Sequence, residues 1–370
     1  MFNFEVISEF NHEQVIFCSN KAAGLKAIIA IHNTTLGPAL GGTRMWKYNT
    51  DEEALKDVLR LSRGMTYKAA VSGLNLGGGK AVIIGDSATQ KNEVLFRTFG
   101  KFVEGLAGRY ITAEDVGTSV KDMEYVRMET KYVTGIPLAL GGSGDPSPVT
   151  AFGVYMGMKA CAKHKWGSDS LKGKKIAVQG AGQVSRFLCE HLYKEGALIY
   201  LTDINESKVK RVLKSVNAEV VKPEKIYDTD ADIFSPNALG AIINDDTLNR
   251  IKSEIIAGGA NNQLEKEDLH GPKLISKGIL YAPDYVINAG GLINVANELE
   301  GYNQEHALKQ AESIFDTITR ILEISDREKI PTYEASNKIA EERLQNVGRI
   351  SNIYTGRSTF SGRLGEIVKR

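Results

Sequence analysis

Two lysines and an aspartate stand where side chains of their type can do chemistry. Lys80 follows three glycines in NLGGGKAVII, Asn75 to Ile84, at the mouth of an apolar run, AVII, that reads as a buried strand. A glycine costs roughly 0.5–1 kcal/mol relative to alanine in regular structure. Three in a row therefore mark a place where φ > 0 is needed or where something approaches the backbone closely. A Walker A loop would need glycine where Leu74 stands and a hydroxyl where Ala81 stands. A Schiff-base lysine for pyridoxal phosphate is a second reading, which suits poorly the glycine fingerprint at Gly180 to Ser185 considered next. The remaining reading is an acid–base lysine in a hydride-transfer enzyme. Lysine ordinarily titrates near ~10.4, and a base useful at neutral pH wants roughly 7–8. Partial desolvation and a second cation would supply that difference of about 4 kcal/mol. Lys68 is a candidate for the second cation, or for holding a substrate carboxylate. Asp115, in TAEDVGTS, closes the apolar run RYIT, a common place for a strand-end acid. On spacing alone the lysines read equally as surface residues, and Asp115 equally as a helix cap or turn aspartate.

A second set of residues points to a nucleotide. GAGQVS comprises Gly180, Ala181, Gly182, Gln183, Val184 and Ser185, and fits G-x-G-x-x-[G/A] except that serine takes the third small position. It follows the strand-like IAVQ, opens an amphipathic pattern (Phe187, Leu188, His191, Leu192), and precedes LIYLTD, whose Asp203 lies close to the ~20 residues downstream expected of a ribose-binding acid. Gly180 permits the tight turn, Gly182 lets a pyrophosphate reach the helix N-terminus, and Ser185 is small enough to keep helix and strand close. Asp203 would accept ribose hydroxyls and repel a 2′-phosphate, favouring NAD over NADP.

These residues need elements to hold them. TDEEALKDVLRLSRGMTYKAA reads as a helix, with a capping-box pattern at Thr50 and Glu53 and a period near 3.6 through Ala54, Leu55, Val58, Leu59 and Ser62. VIFCS and LKAIIAIH read as strands, and Gln90 to Leu106 as a charged helix. GGSGDPSPVTAFG marks a hinge, followed by a helix around Met156. Beyond the fingerprint, DIFSPNALG, EIIAGGANN, ILYAPD and VINAGG read as short strands of a parallel, doubly wound sheet, and EHALKQAESIFDTITRILEI and ASNKIAEERLQNV as long helices. The 370 residues are too many for one ordinary core. A formal net charge of +1 gives no reason to expect nucleic acid or an anionic membrane as partner. The three cysteines show no metal or disulfide spacing, MFNFEVISEF lacks the basic and apolar regions of a signal peptide, and no apolar run approaches a membrane span. The expectation is a soluble, cytoplasmic protein.

Taken together, GPALGGTRMW, LSRGMTYKAAVSGLNLGGGKAVI, TAEDVGTS, GDPSPVTAFG, GAGQV, GGANNQL and YAPDYVINAGGLINVANE make the chain resemble the glutamate/leucine/phenylalanine/valine dehydrogenase family over nearly its whole length. The resemblance implies two α/β domains: a substrate-binding and oligomerisation domain over 1–135, to which C-terminal helices from 331–370 return, and a Rossmann-type NAD domain over 136–330. The active site would lie in the cleft between them. It implies reversible oxidative deamination of an L-amino acid to a 2-oxo acid and ammonia, with NAD⁺ reduced. Lys80 matches the lysine that activates water, Lys68 the one that binds the α-carboxylate, and Asp115 the aspartate that moves protons at the substrate nitrogen. Thr150 and Asn261 match positions near the nicotinamide, and Gly41, Gly42 and Met65 line the same cleft. The glycines before Lys80 would let the substrate's polar head lie against bare backbone. Leu40, Ala113, Leu292 and Val295 match the side-chain pocket. Leucine-preferring relatives tend to pair Ala with Val at Ala113 and Leu292, phenylalanine-preferring ones Gly with Leu, and this chain has a mixed pair. The methyl of Ala113 favours branched-chain substrates (leucine, valine, isoleucine), with phenylalanine or valine specificity as the alternative. A catalytically silent NAD-binding module is the reading from another class. A homo-oligomer is expected, often an octamer among leucine-using members.

Overall fold

The computed structural model describes residues 4–352. The chain divides into two units, the first made of residues up to Gly144, Val295–Asn303 and the chain from Ala340, the second of Asp145–Asn294 and Gln304–Ile339. Of the helices expected over 331–370, residues 353–370 lie outside the described part. Among the described residues no helix is long and apolar enough to cross a membrane.

The first unit is built on β1 (Gln14–Asn20), β2 (Leu25–Asn33), β3 (Ala39–Leu40), β4 (Thr43–Trp46), β5 (Gly77–Ile84) and β6 (Tyr110–Ile111). They form a mixed sheet in the order β1-β2-β5-β3-β6, with β4 also paired to β5. β1 and β2 run antiparallel, as do β2 and β5, whereas β3 and β4 lie parallel to β5. One face is covered by the helix Asp51–Val71, whose Ala54, Leu55, Val58 and Leu59 pack on Ile28, Ala30 and Val82. Its start follows the sequence pattern in part. The Thr50 hydroxyl accepts from the Glu53 N–H at 3.1 Å, but the Glu53 carboxylate turns to the Asn49 N–H at 2.9 Å.

The apolar run after the glycines is not where β5 begins. The strand starts at Gly77, and Lys80 stands in its middle, paired in register with Ala30 of β2. None of Gly77, Gly78 and Gly79 has a positive φ. Their reason is space. A Cβ on Gly77 would lie 2.1 Å from the Asn33 carbonyl oxygen, one on Gly78 2.1 Å from the Thr66 N and Oγ1, and one on Gly79 2.7 Å from the Tyr110 ring. Helix and neighbouring strands come too close to β5 for any side chain, so packing within the unit accounts for a glycine run that the resemblance assigned to substrate approach.

Beneath the same helix, His12 Nε2 lies 2.7 Å from Ser62 Oγ and His32 Nδ1 2.8 Å from Thr66 Oγ1, with the two rings 4.9 Å apart. Burial pushes both down to about 4, helped by the Arg63 charge and, for His32, by His12. The unfolded chain takes up these protons near pH 6.5 and the folded one does not. Stability should therefore fall as pH drops from 6.5 towards 4, by roughly 3 kcal/mol in all for buried His32 and less for half-buried His12. Urea unfolding between pH 7 and 4.5 checks this, with a flatter profile expected for the His12→Gln/His32→Gln variant.

The second unit contains β7 (Lys175–Gln179), β8 (Leu198–Thr202), β9 (Glu219–Val220), β10 (Ile233–Pro236), β11 (Ile255–Ile256) and β12 (Leu280–Tyr281). All pair in parallel in the order β12-β11-β10-β7-β8-β9, which is the 3-2-1-4-5-6 order of a Rossmann sheet. Ala177, Phe234, Ile256, Leu274 and Tyr281 form part of its core. VINAGG is helical rather than a strand, split between Asp284–Ile287 and Gly290–Ala296. The Asp284 carboxylate accepts the Tyr285 and Gln263 N–H groups at 2.6 and 2.8 Å, and Gly290 packs so closely that a Cβ would lie 2.3 Å from the Val149 carbonyl. The run from Glu305 to Ile324 is broken in two at Ser313, giving Gln304–Glu312 and Ile314–Glu328.

Candidate active site

Side chains alternate along a strand, so Gly78, Lys80 and Val82 share the face of β5 that the helix Asp51–Val71 covers. The lysine fits because Gly78 beside it carries nothing. Its side chain is only 7% exposed, and Nζ lies 3.0 Å from Asp115 Oδ1. Asp115 is brought there by backbone pairing. The Gly41, Thr43 and Met45 N–H groups donate to the carbonyls of Ile111, Ala113 and Val116 at 3.1, 2.8 and 2.9 Å, so residues 39–45 and 109–116 run side by side. The turn after Asp115 is held by Thr118, whose Oγ1 accepts the Asp115 N–H at 2.9 Å.

Arg44, on β4, completes the cluster. Its Nε donates to Asp115 Oδ2 at 3.1 Å and its Nη1 to Asp57 Oδ2 at 2.9 Å, and the Tyr48 hydroxyl donates to the same Asp57 oxygen at 2.7 Å. Burial would push the Asp115 carboxyl up, but the charges of Lys80 and Arg44 outweigh it and hold the group below its ordinary range. Asp115 is thus an ionised acceptor fixed between two cations. The glycines expected to line the cleft explain the tight backbone. A Cβ on Gly41 would meet the Gly79 carbonyl at 1.8 Å and Met65 Cγ at 3.3 Å, and one on Gly42 would meet the Glu114 carbonyl at 2.3 Å and Asp115 Cβ at 3.0 Å. Gly41, Gly42, Met65, Lys80 and Asp115 therefore come together in the first unit. Lys68 is half-buried in the last turn of the covering helix. Leu40 on β3 and Ala113, two residues past β6, are buried, 2% and 7% exposed.

In the second unit the glycine fingerprint joins β7 to the helix Gln183–Glu195, with Gly180 at φ +99° and Gly182 as the N-cap residue. A Cβ on Gly182 would meet nothing within 4 Å, so the approach to the helix N-terminus is open there. Asp203, just past β8, accepts the Ala181 N–H on Oδ2 at 2.7 Å and the Asn205 N–H on Oδ1 at 2.8 Å. Ser185 is fully buried against the sheet. Thr150 lies in the first turns of the helix Ser147–Trp166 and donates to the Pro146 carbonyl at 2.9 Å. Asn261 is oriented by Asn288, whose Nδ2 donates to its Oδ1 at 2.6 Å. Leu292, on Gly290–Ala296, is 6% exposed, and Val295 on the same helix is half-buried and belongs to the first unit.

Sequence reasoning passes over Arg44, Asp57 and Asn288. Arg44 carries a readable signal, a charge inside the short strand TRMW, but nothing local says which carboxylates it will meet.

The model for the Glu/Leu/Phe/Val dehydrogenase dimerisation domain matches residues 12–132, and that for the Glutamate/Leucine/Phenylalanine/Valine dehydrogenase domain matches 141–202 and 197–347. The chain belongs to the Glu/Leu/Phe/Val dehydrogenase family. Leucine dehydrogenase of Bacillus subtilis is 58% identical, covering 97% of this chain and 99% of its own. The Geobacillus stearothermophilus leucine dehydrogenase is 59% identical over 93% and 94%. The crystal structure of L-tryptophan dehydrogenase from Nostoc punctiforme superposes with a TM-score of 0.85 at 48% identity, covering 94% of this chain and 100% of that one. This amino-acid dehydrogenase thus has the family's two-domain α/β fold with a Rossmann-type second domain, and family members use NAD(P).

Proposed function

We propose that the protein is an NAD-dependent dehydrogenase of branched-chain L-amino acids, acting reversibly, with leucine as the principal substrate. The Lys80–Asp115 pair carries the reading: an ammonium 7% exposed, 3.0 Å from a carboxylate that Arg44 also holds. In its neutral amine form, Lys80 Nζ takes the proton of the water attacking the iminium carbon and, as the ammonium, returns it in the reverse direction. Asp115, kept ionised, accepts protons from the substrate nitrogen. Lys68 holds the α-carboxylate. The residues of the second unit suit a dinucleotide: an open helix N-terminus at Gly182 for the pyrophosphate, and an Asp203 carboxylate with lone pairs left for ribose hydroxyls. Thr150 and Asn261 would flank the nicotinamide, which when bound supplies the hydride acceptor. Asp203 would repel a 2′-phosphate, and LTDINES offers no arginine to neutralise one.

Leucine rather than glutamate follows from Leu40, which would leave a side-chain carboxylate desolvated and unpaired. Leu292 adds a methylene relative to valine, a change typically worth ~1–3 kcal/mol in an apolar pocket, and tilts the ranking towards smaller branched substrates. The relatives named leucine dehydrogenase support the same choice. The family's dimerisation domain and these relatives support a homo-oligomer, an octamer in our reading, working in the cytoplasm.

The test is absorbance at 340 nm with leucine, isoleucine, valine, phenylalanine and glutamate, each with NAD⁺ and NADP⁺. The branched-chain substrates with NAD⁺ should give the highest kcat/KM. A higher value for phenylalanine than for leucine would overturn the substrate assignment, and comparable values with NADP⁺ the cofactor assignment. No turnover of any amino acid would favour a silent NAD-binding module.

A further inference from the structure

The chain passes from the first unit to the second after Gly144 and returns at Val295. Glu298, shortly into the returning stretch, is half-buried, and its carboxylate reaches back to the outgoing one. Oε1 and Oε2 accept the Gly135 N–H at 2.9 and 3.1 Å, Oε1 accepts the Ser143 N–H at 2.8 Å, and the Ser143 hydroxyl donates to Oε1 as well. All these residues belong to the first unit. Between Gly135 and Ser143 the chain makes a tight loop around the turn Leu138–Leu140, with Gly135 at φ +72°, Gly141 at +85° and Gly144 at +62°. Gly142 is pressed to the loop's own start, since a Cβ there would lie 2.0 Å from the Ile136 carbonyl. The loop is not remote from the charge cluster. Val133 bridges to Thr112, and the Thr134 N–H donates to the Thr112 carbonyl at 2.8 Å, on the segment that ends in Asp115.

A carboxylate in this position is costly. Burial raises its pKa against the lowering effect of its own hydrogen bonds, and an apolar residue would avoid the desolvation. What the carboxylate alone provides is several acceptor lone pairs at one point, enough to bind both ends of the loop at once.

We propose that Glu298 is a positioning residue: by tying the outgoing stretch Gly135–Ser143 to the returning stretch, it holds the loop whose start pairs with Thr112, and through that segment keeps Asp115 where turnover requires it. The proposal rests on the dehydrogenase reading above for its catalytic consequence, but not for the clamp itself. In the intact protein, the Gly135–Gly144 amides of Glu298→Ala should exchange hydrogen at least about tenfold faster, and kcat with leucine should fall at least about tenfold. The Kd for NADH should stay within about twofold, since the fingerprint lies wholly in the second unit. Glu298→Gln, which keeps one acceptor oxygen, should recover part of both losses, and Ser143→Ala should give a milder form. These two carry the test if Glu298→Ala does not fold. Unchanged exchange in the loop, or kcat within about twofold of wild type, overturns the proposal, as does NADH affinity falling in parallel with kcat. If wild type turns over no amino acid, the functional reading fails, while the exchange measurement still decides the clamp.

Discussion

Replacing Lys80 with alanine should lower kcat by a factor on the order of 10²–10⁴, the range expected for losing a positioned acid–base group, with NADH binding near wild type. The variant isolates the lysine because Asp115 keeps a second cation. Arg44 remains 3.1 Å away from Oδ2 and continues to favour the ionised carboxylate. β5 should also survive the change, since its register with β2 is set by backbone pairing and by the buried Ala81, Val82 and Ile83. Steady-state kinetics with leucine, together with fluorescence titration of NADH, make the measurement. Turnover close to normal would remove Lys80 from the mechanism.

A single methyl group should do comparable damage to the fold. In Gly78→Ala the new Cβ would sit 2.1 Å from Thr66 N and 2.6 Å from the Ser62 carbonyl, both part of the helix backbone. Helix Asp51–Val71 would have to lift from the sheet. Overpacking of this kind costs about 1–3 kcal/mol and more where backbone must move, so a loss at or above ~3 kcal/mol is expected, or failure to accumulate folded protein. Gly64, on the exposed side of the same helix, is the control. A Cβ there meets nothing within 4 Å, and Gly64→Ala should stabilise by about 0.4–1 kcal/mol. Thermal unfolding of the two variants side by side tests the pair, and equal stability would show that the close approach at Gly78 is not limiting.

Elements with strong periodicity are legible in the amino-acid sequence alone. Helix Asp51–Val71 declares itself through its 3.6-residue pattern and Thr50, and the parallel strands through apolar runs ending in small residues. β9 gives no such signal, because Glu219 and Val220 are both exposed on a two-residue edge strand. VINAGG misleads because a short apolar run has no periodicity of its own. Its helical state depends on Asp284 bonding Gln263, and Gly290 meeting Val149, contacts distant in sequence. The glycine run shows the same limit from the other side. Its residue type announces a close approach, but only the folded chain reveals that the approaching groups are Asn33, Thr66 and Tyr110. In the candidate site, Lys80 and Asp115 can be picked out singly by their neighbours, whereas Arg44 acquires meaning only through the two carboxylates it joins.

The carbonyls at and just beyond the end of helix Asp51–Val71 gather further hydrogen bonds from a residue made far later. Arg343 donates to the Ala70 and Leu74 carbonyls at 3.0 and 2.7 Å, and to the Gly73 carbonyl and Asn75 Oδ1 at 3.1 and 2.9 Å. Between those carbonyls and Arg343, the ribosome must synthesise the entire Rossmann sheet. At about 5–20 residues per second, the end of the helix waits on the order of ten seconds or more with only its local N–H bonds, until Arg343 emerges. The order of completion thus differs from the order of numbering: the second unit has all its residues by Ile339, whereas the first, begun earlier, gains Arg343 only afterwards.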